Sequence, residues 1–386
     1  MIKGKGGVTM NFEKVDVFLK RLETDYFVPA AEVSVYQSHQ RIYRGYAGFK
    51  DAKREKTVDG TDTYFMYSTT KVITCTAAMR LVEQGKMDLD DPVSNFLPEF
   101  AHLTVNDGTG LHKAKNTLKI WHLFAMQGGF SYDTNCESIK KAKANNPHLS
   151  TREAICALSQ EPLLFEPGTN FNYSLCHDVL AAVCEVISTK KFSAFIQDEI
   201  FTPLGMKNSV MGTGRPDLTA RLSAQYDGKA LHKRPAEIEK ENFFFISDVY
   251  ESGGAALIST VDDYALFTDA LACGGVSKDG YRVLTPRSID QMRTNRLEGA
   301  SAKDFKTNIS HMPGYGYGLG VRTKIKNVPG NNISPLGEFG WDGAAGALAV
   351  IDPETHLSFF YAQHVLGGLT REIHPKLKDL IFEAIK

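Results

Sequence analysis

Ser68 and Lys71 have the residue types and the spacing for nucleophilic chemistry at a carbonyl. A serine hydroxyl is a poor nucleophile until a base takes its proton, and a lysine three residues later on one helix face sits beside that hydroxyl. The pattern is cheap, because this chain carries it three times, at Ser68/Lys71, Ser138/Lys141 and Ser188/Lys191. Context separates them. Ser138 lies in a polar, lysine-rich stretch and Ser188 at the end of a helical run, where neither lysine would lose its water. Ser68 stands where the extended run TYFMY gives way to the apolar VITCTAAMRLVEQGK. There Lys71 can be desolvated, which disfavours its charged form and lets it accept a proton. The Ser68 N–H, in a first helical turn, is then free to face a developing oxyanion. Alone, the pair also reads as a helix cap and a surface lysine.

Two further segments fit the same chemistry. In EPGTNFNYSLCHDVLA, Tyr173 follows a Pro-Gly turn and precedes a helix, so its phenol can project into a cleft. Beside a lysine ammonium its phenolate would be favoured, which suits proton relay, although a single tyrosine is more often a core residue. EFGWDGAAGALAV is a glycine-rich entry to a strand whose backbone edge can approach a ligand and supply a second N–H, or can be an ordinary bulge.

These residues need a scaffold. Phe12, Val15, Phe18, Leu19 and Leu22 recur at helical spacing, and AEVSVYQ and RIYRGYAG flank a polar turn at Ser38-His39-Gln40, giving a hairpin. The run after Ser68 is apolar around most of its circumference and ends at Gly85, so it reads as a buried helix. Asp91-Pro92 is expected to cap and open another helix, and Ser150 with Glu153 forms a capping box. GYGYGLGVRT, GALAVIDP and HLSFFYAQHV are strand-like, HPKLKDLIFEAI is a final amphipathic helix, and 106–115 and 299–310 read as polar loops. The resulting expectation is an α+β fold, one antiparallel sheet flanked by the terminal helices. Residues 11–82 and 245–386 would form a discontinuous sheet domain, 83–244 an inserted, mostly helical subdomain, and 1–10 a leader or disordered tail.

With 386 residues, 42% of them hydrophobic, the chain can bury a large core. Its 44 basic and 45 acidic side chains give a formal net charge of -1 with no basic stripe, which argues against nucleic acid. No apolar run reaches the ~20 residues of a membrane span, and no signal sequence is evident, so a cytoplasmic protein is expected. Six cysteines without a C-x-x-C pair read as reduced thiols. His122, His177 and His311 lack metal-ligand spacing and read as structural; neither metal nor cofactor is expected.

Together, YSTTK, FNYSL, LVEQGKMDLDDPVSNFLPEF, FEPGTNFNYS, IFTPLGMKNS, ESGGAALISTVDDYALF, GYGYGLG and GWDGAAGALAVIDP resemble the serine β-lactamase and penicillin-binding-protein superfamily over nearly the whole chain. The resemblance is greatest to the class C β-lactamase branch and, within it, to family VIII carboxylesterases. It implies the β-lactamase-like fold and an acyl-enzyme on Ser68. Lys71 and Tyr173 would serve as base and then acid, and the N–H groups of Ser68 and Ala344 would form the oxyanion hole. Two departures point to esters. Leu175 stands where class C enzymes carry asparagine, and Trp341-Asp342-Gly343 replaces the Lys-Thr-Gly motif. Replacing a cation with an indole and a carboxylate weakens recognition of anionic lactams and leaves a more apolar site. In HLFAMQGGF, Met126 and Gln127 depart from the hydroxyl-rich segment of relatives and put a proton relay from that loop in question. Gln127, Tyr132, Leu175, Tyr315 and Trp341-Asp342-Gly343 are the expected substrate contacts, with Phe243 to Phe245 shaping the rim.

The expected partner is therefore a small-molecule ester or lactam; the sequence leaves the oligomeric state open. A carboxylesterase for short or medium acyl groups, with weak β-lactam hydrolysis, leads. A β-lactamase, a D-amino-acid peptidase, an acyltransferase and a non-catalytic ligand sensor are the alternatives.

Overall fold

The computed structural model describes residues 2–3, 9–230 and 233–386. The expected tail over 1–10 lies mostly outside these. Helix α1 (Glu13–Tyr26) buries Val15, Phe18, Leu19 and Leu22 on one face. Strands β1 (Ala30–Gln37) and β2 (Gln40–Gly48) follow. They reverse through Ser38 and His39, whose φ angles of 50° and 64° match the right-handed twist of a two-residue hairpin. Next come α2 (Thr70–Glu83), α3 (Thr151–Leu158), α4 (Cys176–Ser188), α5 (Val261–Ala272) and α6 (Gly299–Asn308). The chain returns to strands with β3 (Tyr315–Tyr317), β4 (Arg322–Lys324), β5 (Phe339–Asp342), β6 (Leu348–Asp352) and β7 (Leu357–Gln363). It then forms α7 (Thr370–Ala384).

One antiparallel sheet runs in the order β3-β4-β5-β6-β7-β1-β2, so β7 joins the N-terminal hairpin to the C-terminal strands. Alternate residues serve two cores. Val33, Val35, Leu348, Val350, Phe359 and Tyr361 pack under α1 and α7, whereas Ala349, Ile351, Phe360 and Ala362 face the core that holds α2, α4 and α5. That double burial explains why LSFFYAQ shows no polar alternation: all seven residues are buried. Helix α2 is buried from Thr70 to Met79 without a break, as its apolar circumference requires.

Several local expectations needed correction. Tyr64–Phe65 is extended but joins a separate small sheet with Leu257–Ser259 and Val210–Met211. No α-helix opens at Asp91-Pro92. Pro92 is extended (ψ 132°), and only 3-10 turns follow at Val93–Asn95 and Pro98–His102. The Asp91 carboxylate is turned back to accept from the Asp88 N–H (2.7 Å), so it caps nothing ahead. The polar stretch 299–310 is largely helix α6. Its Glu298 and Ser301 bond reciprocally at the N-terminus, and its Phe305 is buried against Phe171, centroids 5.2 Å apart. One aromatic docked from a distance overrides poor local periodicity. Residues 106–115 include one strand of a short hairpin, Leu111–Lys113, paired with Thr104–Asn106. The capping box of α3 is present, with both Ser150 and Glu153 engaged. None of the six cysteines is bridged, and Cys75, Cys136, Cys176 and Cys184 are buried. Among the described residues no helix is long and apolar enough to cross a membrane.

Candidate active site

Ser68 occupies a 3-10 turn, Tyr67–Thr69, between the short strand Tyr64–Phe65 and α2. The preceding Tyr67 has φ 46°, a left-handed conformation that costs a non-glycine residue about 1–3 kcal/mol. Its surroundings hold it there. The phenol donates to the Glu241 carbonyl (3.2 Å) and the ring packs against Phe65 and Phe244. This sharp turn sets Ser68 at the floor of a cleft of about 740 Å³.

Lys71 lies one helical turn on and is fully buried. Its Nζ donates to Ser68 Oγ (3.3 Å), to Tyr132 Oη (3.0 Å) and to the Gly254 carbonyl (2.9 Å). Burial pushes the amine down to about 8, against an opposing pull from the Asp178 carboxylate. A lysine in this state exchanges protons near neutral pH, unlike one in water.

Tyr173 comes from the turn before α4 and lies in a stack of rings. It is 5.4 Å from Tyr132 and 5.5 Å from Trp341, centroid to centroid, and the Trp341 indole N–H donates to its hydroxyl (2.9 Å). The Lys71 ammonium sits over the ring face, 4.7 Å from the centroid. This geometry corrects the expectation of a favoured phenolate. Burial raises the Tyr173 phenol above its ordinary value, and the hydrogen bonds of Ser68 and Trp341 only partly offset it. Tyr173 is a neutral phenol in the resting site.

Tyr132 also differs from its expected part as a substrate contact alone, because its hydroxyl touches the Lys71 amine directly. The segment in which Met126 and Gln127 had put a hydroxyl relay in question thus places a hydroxyl against the amine, five residues beyond Gln127. Burial raises this phenol as well.

The opposite wall is the end of β5 and the residues that follow. Trp341, Asp342, Gly343 and Ala344 all line the cleft. A Cβ on Gly343 would lie 2.5 Å from the Met66 carbonyl, so only glycine lets this strand end abut the segment carrying Ser68. Asp342 faces His311 (3.9 Å). Burial works to raise its carboxyl, but His311, His374 and Arg322 together hold it below the usual range.

The other expected substrate contacts are placed elsewhere. Leu175 is buried at the start of α4, where side-chain exposure is lost to packing. Gln127 is buried with its amide donating to the Arg296 carbonyl (3.3 Å). Tyr315 is bonded within a buried ionic cluster, to Glu338 (2.7 Å) and Lys378 (2.9 Å). His122 and His177 are buried and pushed down, to about 4 and about 3, by burial above all, as structural histidines are. His311 was expected to be structural and instead lines the cleft, with Phe244, Met312 and the first turn of α7. No local pattern marks His311; its position depends on the loop after α6.

A match to the Beta-lactamase family spans residues 15–380, so this chain belongs to that family, whose fold is that of serine β-lactamases and penicillin-binding proteins. Protein Rv1367c of Mycobacterium tuberculosis is 27% identical over 367 residues, covering 91% of this chain and 90% of that protein. Esterase EstB of Burkholderia gladioli is 23% identical over 382 residues, with 91% and 90% covered. Among solved structures, EstCE1, described as a hydrolase with promiscuous acyltransferase activity, superimposes with a TM-score of 0.78 at 24% identity, covering 96% of this chain and 98% of its own.

Proposed function

We propose that this enzyme hydrolyses carboxylic esters of short or medium acyl groups through an acyl-enzyme on Ser68. The observation that carries the reading is the buried Lys71 amine, hydrogen-bonded at once to the Ser68 hydroxyl and to a tyrosine. Ser68 Oγ adds to the ester carbonyl as its proton passes to the free amine of Lys71, directly or through a tyrosine hydroxyl. The N–H groups of Ser68 and Ala344 would receive the oxyanion, since both residues border the cleft. The ester C–O bond breaks and the alcohol leaves with that proton, relayed through Tyr173 or Tyr132. Water then adds to the acyl-serine, its proton returns to the same base, and the acid departs as Ser68 is restored.

Esters are favoured over β-lactams because Trp341 occupies the place of the lysine that would hold a lactam carboxylate, and it is stacked and hydrogen-bonded on Tyr173. A second reading, transfer of the acyl group to an alcohol in place of water, is supported by a cleft large enough for an acceptor and by the description of EstCE1. Intact-mass analysis after incubation with a phosphonate probe tests the acyl-enzyme. One adduct on the Ser68 peptide is expected, absent in Ser68→Ala, and an adduct elsewhere overturns the reading. A panel of p-nitrophenyl esters, nitrocefin and D-alanyl peptides ranks substrates, and faster nitrocefin than ester turnover would reverse the preference for esters.

A further inference from the structure

Asp178 is fully buried in α4, within the same core as Lys71. Burial raises its carboxyl above the ordinary range, and this is opposed by the hydrogen bonds that Oδ1 accepts from Ser252 Oγ (2.6 Å) and Tyr250 Oη (2.7 Å) and by the nearby Lys71 charge, all of which favour the carboxylate. Its Oδ2 is buried without a side-chain partner. Gly254 lies between this oxygen and the active-site amine. A Cβ built on Gly254 would sit 2.9 Å from Asp178 Oδ2 and 3.0 Å from Lys71 Nζ, so a side chain here would intrude on both. The backbone itself bridges the two charges, since the Gly254 carbonyl accepts from Lys71 Nζ (2.9 Å).

We propose that Asp178 is the counter-carboxylate of Lys71, a positioning residue that acts across Gly254 to keep the buried amine able to take and hold the Ser68 proton. This rests on the reading of Lys71 as the base. An amine buried without an opposite charge loses its proton affinity, and an opposite charge a few ångströms away restores it. The other groups around the amine are Ser68, Tyr132, the Tyr173 ring, Cys75, Cys176 and His177, whose imidazole is kept neutral by burial and the Lys71 charge. Burial raises both thiols, to about 11 for Cys176, as it does both phenols. Asp178 is thus the carboxylate among them, and the Lys71 amine draws proton affinity from it against burial. The carboxylate in turn faces Tyr250, Ser252, Tyr132 and the Gly254 N–H.

The test is the pH profile of kcat/KM with a p-nitrophenyl ester. For the unaltered enzyme the rate should rise with pH through a limb near 8, where Lys71 loses its proton. In Asp178→Asn the limb should move down by about one pH unit or more, with slower turnover on the alkaline plateau because a weaker base holds the Ser68 proton. A limb that stays in place overturns the proposal while phosphonate labelling of Ser68 persists. Loss of labelling specificity for Ser68 would instead sink the acyl-enzyme reading. If Asp178→Asn does not accumulate as folded protein, thermal unfolding of Lys71→Met and of the double variant Lys71→Met/Asp178→Asn decides. Lys71→Met strands a buried carboxylate, so adding Asp178→Asn should raise Tm; a further fall in Tm overturns the proposal.

Discussion

Lys71 and Lys378 are both stripped of water, and burial drags both amines down, to about 8 and about 7. Their surroundings differ. Lys378, on α7, donates to both oxygens of Glu338 (3.1 and 3.3 Å) and to Tyr315, while Arg322 bonds Glu338 from β4 (3.0 Å). Those two cations hold the buried Glu338 carboxyl below its ordinary range. Among the described residues Lys71 makes no direct ion pair; its partners are hydroxyls and a carbonyl, and its carboxylate stands off across a glycine. A depressed lysine is therefore a consequence of burial and not by itself a sign of catalysis. The amine hydrogen-bonded to the cleft-lining Ser68 hydroxyl, and not clamped to a carboxylate, is placed to cycle a proton. The amine clamped to Glu338 ties the C-terminal helix to the sheet.

Substitutions can break this contrast. The largest effect is expected from Lys71→Met, which should lower ester kcat/KM by about 10²–10⁴-fold, the range for loss of a positioned base; a smaller drop would move the base to a tyrosine. Glu338→Gln should act on stability, costing about 3–5 kcal/mol in urea denaturation because two buried cations lose their anion. Its kcat/KM, measured on the folded fraction, should stay near that of the unaltered enzyme. A selective loss of activity there would join the two clusters functionally. Trp341→Phe should be mildest. It keeps an aromatic on Tyr173 but removes the indole N–H, so kcat/KM should fall by the equivalent of about 0.5–1.5 kcal/mol. An unchanged rate would mean that the bond to the Tyr173 hydroxyl is idle in the transition state.

Much of the scaffold was legible because it is locally encoded. The α1 face, the Ser38-His39 hairpin, the Ser150/Glu153 box and the β6-β7 pair each depend on residues close in sequence. Helix α6 and the extended Pro92 were not, since Phe305 finds its burial against Phe171, far upstream, and Pro92 bridges to Lys119. The same division runs through the site. Ser68 and Lys71 are set apart from the two other Ser-x-x-Lys pairs by the apolar run that follows them, and Tyr173 is marked by its turn. Tyr315, Leu175 and Gln127 looked equally eligible at the rim, yet their side chains are consumed by an ionic cluster, a helix start and a backbone carbonyl.

From the order of residues alone came the fold class, the candidate serine and its neighbouring amine, and the two replacements that remove a lysine and an asparagine from the expected lactam site. Only the folded chain decided which phenol touches that amine, that Tyr173 rests neutral under an indole, that His311 and the first turn of α7 border the cleft, and that Asp178 approaches Lys71 past Gly254. Periodicity and caps arise from neighbours a few positions apart. Proton affinity is a sum of desolvation and charge over every group within several ångströms, and around Lys71 those groups come from as far as 61 (Tyr132) and 183 (Gly254) positions along the chain.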